Sequence, residues 1–105
     1  MKNLTILGST GSIGTSTLDV VRRNGGRFKV FALVAGANLD LLVPQILEFR
    51  PKFVVVASNE VLGNLRSRLD ESGEPRSAWP ELSCGPRARV EASIATEVDF
   101  VMSAI

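Results

Sequence analysis

Leu4-Thr5-Ile6-Leu7, Phe28–Ala35, Phe53-Val54-Val55-Val56-Ala57 and Asp99–Ile105 are short, dense apolar runs. Between them the apolar positions thin out to every third or fourth residue. The dense runs have the character of strands, and 53–57, apolar throughout, that of a strand covered on both faces. The thinned stretches have the period of amphipathic helices. Ile13, Leu18 and Val21 are expected to face a sheet from a helix over 12–23, and Leu42, Ile46 and Phe49 from one over 38–49. Leu62, Leu65 and Leu69 do the same in a third helix, and Val90 and Ile94 in a fourth that starts at Pro86 and runs to about Thr96. Glu81-Leu82-Ser83-Cys84 adds a short strand. Strands and helices in alternation call for parallel pairing and right-handed crossovers. The expected fold is α/β: a Rossmann-like three-layer arrangement with a mostly parallel sheet, in one domain over residues 1–105.

The residues between elements agree with this division. Asn24-Gly25-Gly26 tolerates the positive φ that ends a helix, Asn38 can cap the second helix, Ser58 or Asn59 the third, and Gly73 closes it. Pro44 conflicts with an established helix, because it lacks an N–H and crowds the preceding turn. Either the helix begins near Val43 or it is kinked there. Glu74–Pro80 reads as a surface loop, with Trp79 packed against the domain edge.

The turn after the first strand carries the chemistry. Gly8, Gly11 and Gly14 in Gly8-Ser9-Thr10-Gly11-Ser12-Ile13-Gly14 separate an apolar strand from a helix, a G-x-x-G-x-x-G form of the dinucleotide-binding turn. Gly8 allows the tight turn, Gly11 lets a pyrophosphate approach the backbone, and Gly14 lets helix and strand pack closely. The N–H groups of Thr10, Gly11, Ser12 and Ile13 are then expected to be free to meet an anion at the positive end of the helix. Thr10 and Ser12 add hydroxyls. The plainer alternative is a glycine-rich turn that binds nothing.

The tip of the second strand bears on which dinucleotide fits. NAD-selective folds usually place a carboxylate there for the ribose 2′-hydroxyl. Here the tip is Ala35-Gly36-Ala37-Asn38, with no acid before Asp40. A 2′-phosphate would meet no repulsion, and Gly36, Ala37 and Asn38 can donate to it, which favours NADP over NAD, although no Arg or Lys sits at the tip.

Composition narrows the field. A hydrophobic share of 45% and a charged share of 22% are those of a globular domain. With a net charge of +1 and no basic stripe, nucleic acid is not the expected partner. Arg22 with Arg23, and Arg87 with Arg89, read as solvated helix faces. Cys84 is the one cysteine, which excludes a disulfide framework and a thiolate metal cluster, and it reads as a small buried or half-buried residue. With no His and no Tyr, imidazole acid–base chemistry and a Tyr-Lys pair are excluded from these residues. Met1-Lys2-Asn3 leads straight into the first strand, and no apolar run approaches membrane-spanning length, so a cytoplasmic, membrane-free setting is the default expectation.

Leu4–Gly14, followed by Ser16-Thr17-Leu18-Asp19-Val20-Val21, resembles the N-terminus of the 1-deoxy-D-xylulose 5-phosphate reductoisomerases. The likeness continues through Ala32–Gly36, Asn38 and Leu47-Glu48-Phe49-Arg50-Pro51, and more weakly to Val98-Asp99. It implies an NADPH-dependent enzyme of non-mevalonate isoprenoid biosynthesis. That family isomerises a phosphosugar and reduces the product, with Mg²⁺, Mn²⁺ or Co²⁺ as divalent metal, typically as a homodimer. Carried over, the cofactor contacts fall on Thr10, Gly11, Ser12 and Ile13 at the pyrophosphate and on Gly36, Ala37 and Asn38 near the phosphorylated ribose. Position 37 is often basic in the family and is alanine here. The resemblance further implies that residues 1–105 are the N-terminal part of the cofactor domain. The catalytic residues, metal ligands and substrate phosphate site would lie in domains outside it, and the chain alone would be inactive. The other readings left by the residues are the cofactor domain of a different NADP-dependent aldehyde or acyl-phosphate reductase, and a non-catalytic nucleotide-binding module.

Overall fold

A computed structural model describes residues 1–103, so the last two positions of the expected final strand lie outside the described residues. The chain runs β1 (Lys2–Leu7), α1 (Ser12–Arg23), β2 (Phe28–Val34), α2 (Leu39–Phe49), β3 (Phe53–Val56), α3 (Asn59–Glu71), a 3₁₀ turn (Arg76–Ala78), β4 (Glu81–Cys84), α4 (Pro86–Ile94) and β5 (Phe100–Ser103). The five strands form one sheet in the order β4-β3-β2-β1-β5, and every pairing is parallel.

Chain direction explains the layers. From β1 to β4 the chain moves one way across the sheet, and right-handed crossovers put α1, α2 and α3 on one face. Their inward residues Leu18, Val21, Leu42, Ile46, Leu65 and Leu69 form one core with Leu4, Ile6, Val30, Val54 and Val56. After β4 the chain turns back past β1 to β5, so α4 must cross on the opposite face. There Ala88 and Ala92 pack with Phe31, Ala32, Val34 and Val55. One irregularity feeds this second core. Leu4 pairs with Val30 but Thr5 pairs with Ala32, so Phe31 is an extra residue in β2 and lies with Ala32 on the α4 side.

Three expectations about inward residues are corrected. Ile13, in the first turn of α1, is 60% exposed, because α1 meets the sheet through Gly14, Leu18 and Val21 instead. Val90 and Ile94 are 56% and 73% exposed. The inward stripe of α4 is Ala88 and Ala92, one turn apart, and Ala92 is wholly buried. The reason is close approach. The Thr5 hydroxyl of β1 donates to the Ala92 carbonyl at 2.9 Å, satisfying a carbonyl in the last turn of α4. A helix held that near a strand has room for a methyl and little more.

The Pro44 conflict resolves with the helix starting early. α2 begins at Leu39, capped by the Asn38 side chain, and carries Pro44 inside it. Pro44 and Asp40 are both solvent-exposed, so the carbonyl that loses its partner lies on the water side. Trp79 packs against the first core, donates from Nε1 to the Glu74 carbonyl at 3.2 Å, and lies under the Arg76 guanidinium. Cys84 is half-buried, with its Sγ 3.2 Å from Asn59 Oδ1.

Arg22 is not simply solvated: it clasps Glu48 of α2 with two hydrogen bonds, while Arg50 clasps Glu74. These guanidiniums hold both carboxyls below the usual value of 4.5. A lowered folded-state value gives stability that is present above the ordinary carboxyl range and lost as pH falls through the folded-state value. In urea titrations, Glu48→Gln is therefore expected to lower stability modestly at neutral pH and to flatten the acid-side decline. The same measurement tests the α4 packing. Ala92→Leu should lose about 1–3 kcal/mol through overpacking, whereas Val90→Ser should stay within roughly 0.5 kcal/mol of wild type.

Candidate functional site

β1 ends at the carboxyl edge of the sheet, beside the point where strand order reverses between β1 and β5. Gly8 leaves the strand with φ of 84°, a conformation L side chains rarely adopt. The N–H groups of Gly8 and Ser9 both donate to the Val34 carbonyl, at 2.7 and 3.1 Å, which fastens the turn to the end of β2. Gly14, one turn into α1, lies against the same turn. A Cβ placed there would come 2.1 Å from the Gly8 carbonyl oxygen and 2.7 Å from Ser9 Cα. Close helix–strand contact is thus a requirement of the protein itself at Gly14.

Gly11 is different. Its backbone is extended, and an added Cβ would meet the Gly8 oxygen at 3.5 Å, an ordinary contact. Nothing in the protein's own packing demands glycine at 11.

The expectation of four free amides needs one correction. The Gly11 N–H is already committed to the Gly8 carbonyl at 3.1 Å, which closes the turn. Thr10, Ser12 and Ile13 keep N–H groups with no protein acceptor among the described residues. α1 also has no side-chain cap, whereas Asn38 caps α2 and Ser58 caps α3. The start of α1 therefore presents unpaired donors and the positive end of the helix dipole at the strand tips. No acidic residue occupies its first turn.

The β2 tip supplies the neighbouring group of donors. The Gly36 and Ala37 N–H groups have no protein acceptor among the described residues, and both residues are exposed together with Asn38. Asn38 caps α2 through Oδ1, which accepts from the Leu41 N–H at 3.4 Å, so its amide nitrogen remains free to donate outward. Gly36 lacks a positive φ, and a Cβ on it would meet no protein atom within 4 Å. It borders a cavity of about 270 Å³ at the strand ends, lined also by Gly8, Ala57, Gly85 and Arg89. These residues fit a dinucleotide lying from the α1 start to the β2 tip. They do not fit a metal: no cluster of three or more His, Cys, Asp or Glu is found among the described residues.

One supporting residue escaped the sequence reading. Gln45 of α2 is 92% buried and donates from Nε2 to the Ser9 carbonyl at 2.8 Å, bracing the turn from behind. A polar residue among the inward positions Leu42 and Ile46 was the available signal.

A family model described as 1-deoxy-D-xylulose 5-phosphate reductoisomerase matches residues 4–105. The chain belongs to this family. A reductoisomerase of Solibacter usitatus is 59% identical over all 105 residues, which make up 26% of that protein. One of Photorhabdus laumondii is 46% identical over the same span and 25% of its length. The chain thus spans about a quarter of these relatives.

Solved structures agree in fold. A reductoisomerase in complex with NADPH, fosmidomycin and magnesium superposes with a TM-score of 0.88 at 28% identity, over 100% of this chain and 24% of that one. The Zymomonas mobilis enzyme in complex with NADPH gives 0.84 at 35% identity, over 99% of this chain and 26% of that one. No helix among the described residues is long and apolar enough to cross a membrane.

The Gln45 brace has a measurable consequence. Gln45→Glu would set a buried carboxylate against the Ser9 carbonyl, and at pH 7 it should destabilise the chain by about 2 kcal/mol or more. Burial raises that carboxyl's folded-state value, so the deficit should shrink as pH falls and a protonated oxygen can donate again. Urea unfolding at two pH values checks this.

Proposed function

We propose that residues 1–105 are the N-terminal part of the NADPH-binding domain of a reductoisomerase. In this reading the enzyme converts 1-deoxy-D-xylulose 5-phosphate to 2-C-methyl-D-erythritol 4-phosphate, for isoprenoid synthesis by the non-mevalonate route. The observation that carries the reading is the pair of donor groups at adjoining strand ends. Thr10, Ser12 and Ile13 offer free amides at an uncapped helix start, and Gly36, Ala37 and Asn38 offer them at an acid-free strand tip. The first group suits the pyrophosphate, with the hydroxyls of Thr10 and Ser12 beside it. The second suits a ribose bearing a 2′-phosphate, which a carboxylate at this tip would repel.

NADPH bound in this way supplies a hydride. This chain's residues bind and orient the nucleotide; no catalytic acid, base or metal ligand is assigned to them. The phosphosugar site, the divalent metal and the residues that perform the isomerisation belong, in this reading, to other parts of the enzyme. Homodimerisation and a cytoplasmic location are inferred from the family alone.

Titration of the chain with NADPH, NADH and ATP tests the proposal. NADPH is expected to bind more tightly than NADH, and ATP weakly. Equal affinity for all three would instead favour a nucleotide-binding module without a reductase role. Two glycine substitutions separate packing from ligand contact. Gly14→Ala should lose about 3 kcal/mol of stability or more, since backbone must move to admit the methyl. Gly11→Ala should change stability by less than roughly 0.5 kcal/mol, yet weaken NADPH and NADH alike. Undiminished binding by Gly11→Ala would remove the pyrophosphate from this turn.

A further inference from the structure

The β2 tip offers a phosphate only neutral donors, because Gly36-Ala37-Asn38 contains no cation. The cavity beside Gly36 has one, contributed from another element. Arg89 belongs to the first turns of α4, on the opposite side of the sheet from α1, α2 and α3, and it lines the same 270 Å³ space as Gly36 and Ala57.

Arg22, Arg23, Arg50, Arg68 and Arg76 each face a carboxylate within 4 Å. Arg89 is one of four arginines, with Arg27, Arg66 and Arg87, that make no ion pair among the described residues, and of these four it alone lines the cavity beside Gly36. Among the described residues no acidic side chain lines that cavity. Gly85, at the start of α4, also borders this space, and its φ of 92° holds the position for glycine.

Resting on the NADPH reading above, we propose that Arg89 is the cation that pairs with the 2′-phosphate of the adenosine ribose. It would supply from α4 the charge that the β2 tip lacks. Arg89 would then be a specificity-determining residue, favouring the phosphorylated nucleotide over NADH by a charge-assisted, two-pronged contact. Arg68, the other guanidinium near the tip, is engaged by Asp40, whose carboxylate sits in the first turn of α2.

Calorimetric titration of the full chain with NADPH and NADH tests this on wild type, Arg89→Gln, Arg89→Lys and Arg68→Gln. Arg89→Gln is expected to weaken NADPH binding roughly ten- to a hundredfold while leaving NADH within about twofold. Arg89→Lys should recover part of the loss, and Arg68→Gln should bind both nucleotides as wild type does. Urea unfolding of Arg89→Gln should match wild type, since the side chain is exposed. Equal loss of both nucleotides in Arg89→Gln would indicate stacking on adenine and overturn the proposal. So would selective loss of NADPH in Arg68→Gln alone. Unchanged NADPH affinity in Arg89→Gln overturns it while the NADPH reading stands, whereas wild type binding neither nucleotide would overturn both.

Discussion

Contact between the first turn of α1 and the end of β1 is the constraint on which the rest depends. Gly14 leaves no space for a side chain against the Gly8 carbonyl and the Ser9 backbone. With that separation fixed, the helix can start only where it does, over the carboxyl ends of the strands. The turn between them is then tied on three sides: Val34 accepts its first two amides, Gly8 accepts the Gly11 amide, and Gln45 grips the Ser9 carbonyl. The donors left over are those at the rim. Their freedom follows from a turn whose other amides are engaged, and preorganised donors bind an anion without first giving up other partners.

Topology brings the other donors alongside. β2 is the neighbour of β1, so its tip must emerge beside the turn, and the reversal of strand order opens the space above them. The same reversal places α4 on the far face and aims its early residues at the strand ends from behind. Four elements distant in sequence thereby border one cavity: the glycine turn, the β2 tip, the end of β3 and the start of α4. The close seating of α4, enforced by the Thr5 contact to Ala92, sets how near its first residues come to that cavity.

Much of this was legible in the chain of letters because the relevant signals are local. Glycine spacing, Asn38 and Ser58 as caps, and apolar runs broken by turn residues all act within a few residues, and the helix over 12–23 lies where its pattern placed it. The misreadings come from contacts that hydrophobic periodicity does not encode, some with a distant segment and some within the glycine turn itself. Val90 and Ile94 look inward by their period, but the nearness of α4 to β1 reserves the inner stripe for alanine. Ile13 reads as a core residue until Gly14 is seen to be the point of contact. The Gly11 amide reads as free because its acceptor is set by the tight turn at Gly8. Gln45 and the cavity-facing position of Arg89 depend on how helices dock, which no short window reveals.

The most direct test of the central claim is residue-resolved. Amide chemical shifts of the ¹⁵N-labelled chain, followed during titration with NADPH, report which N–H groups gain a partner. The account predicts the largest downfield changes at Thr10, Ser12 and Ile13, with a second group at Gly36 and Ala37, and a much smaller change at the already bonded Gly11. Saturating NADPH that leaves the amides of 10, 12 and 13 unmoved, or that shifts Gly11 most of all, would contradict it.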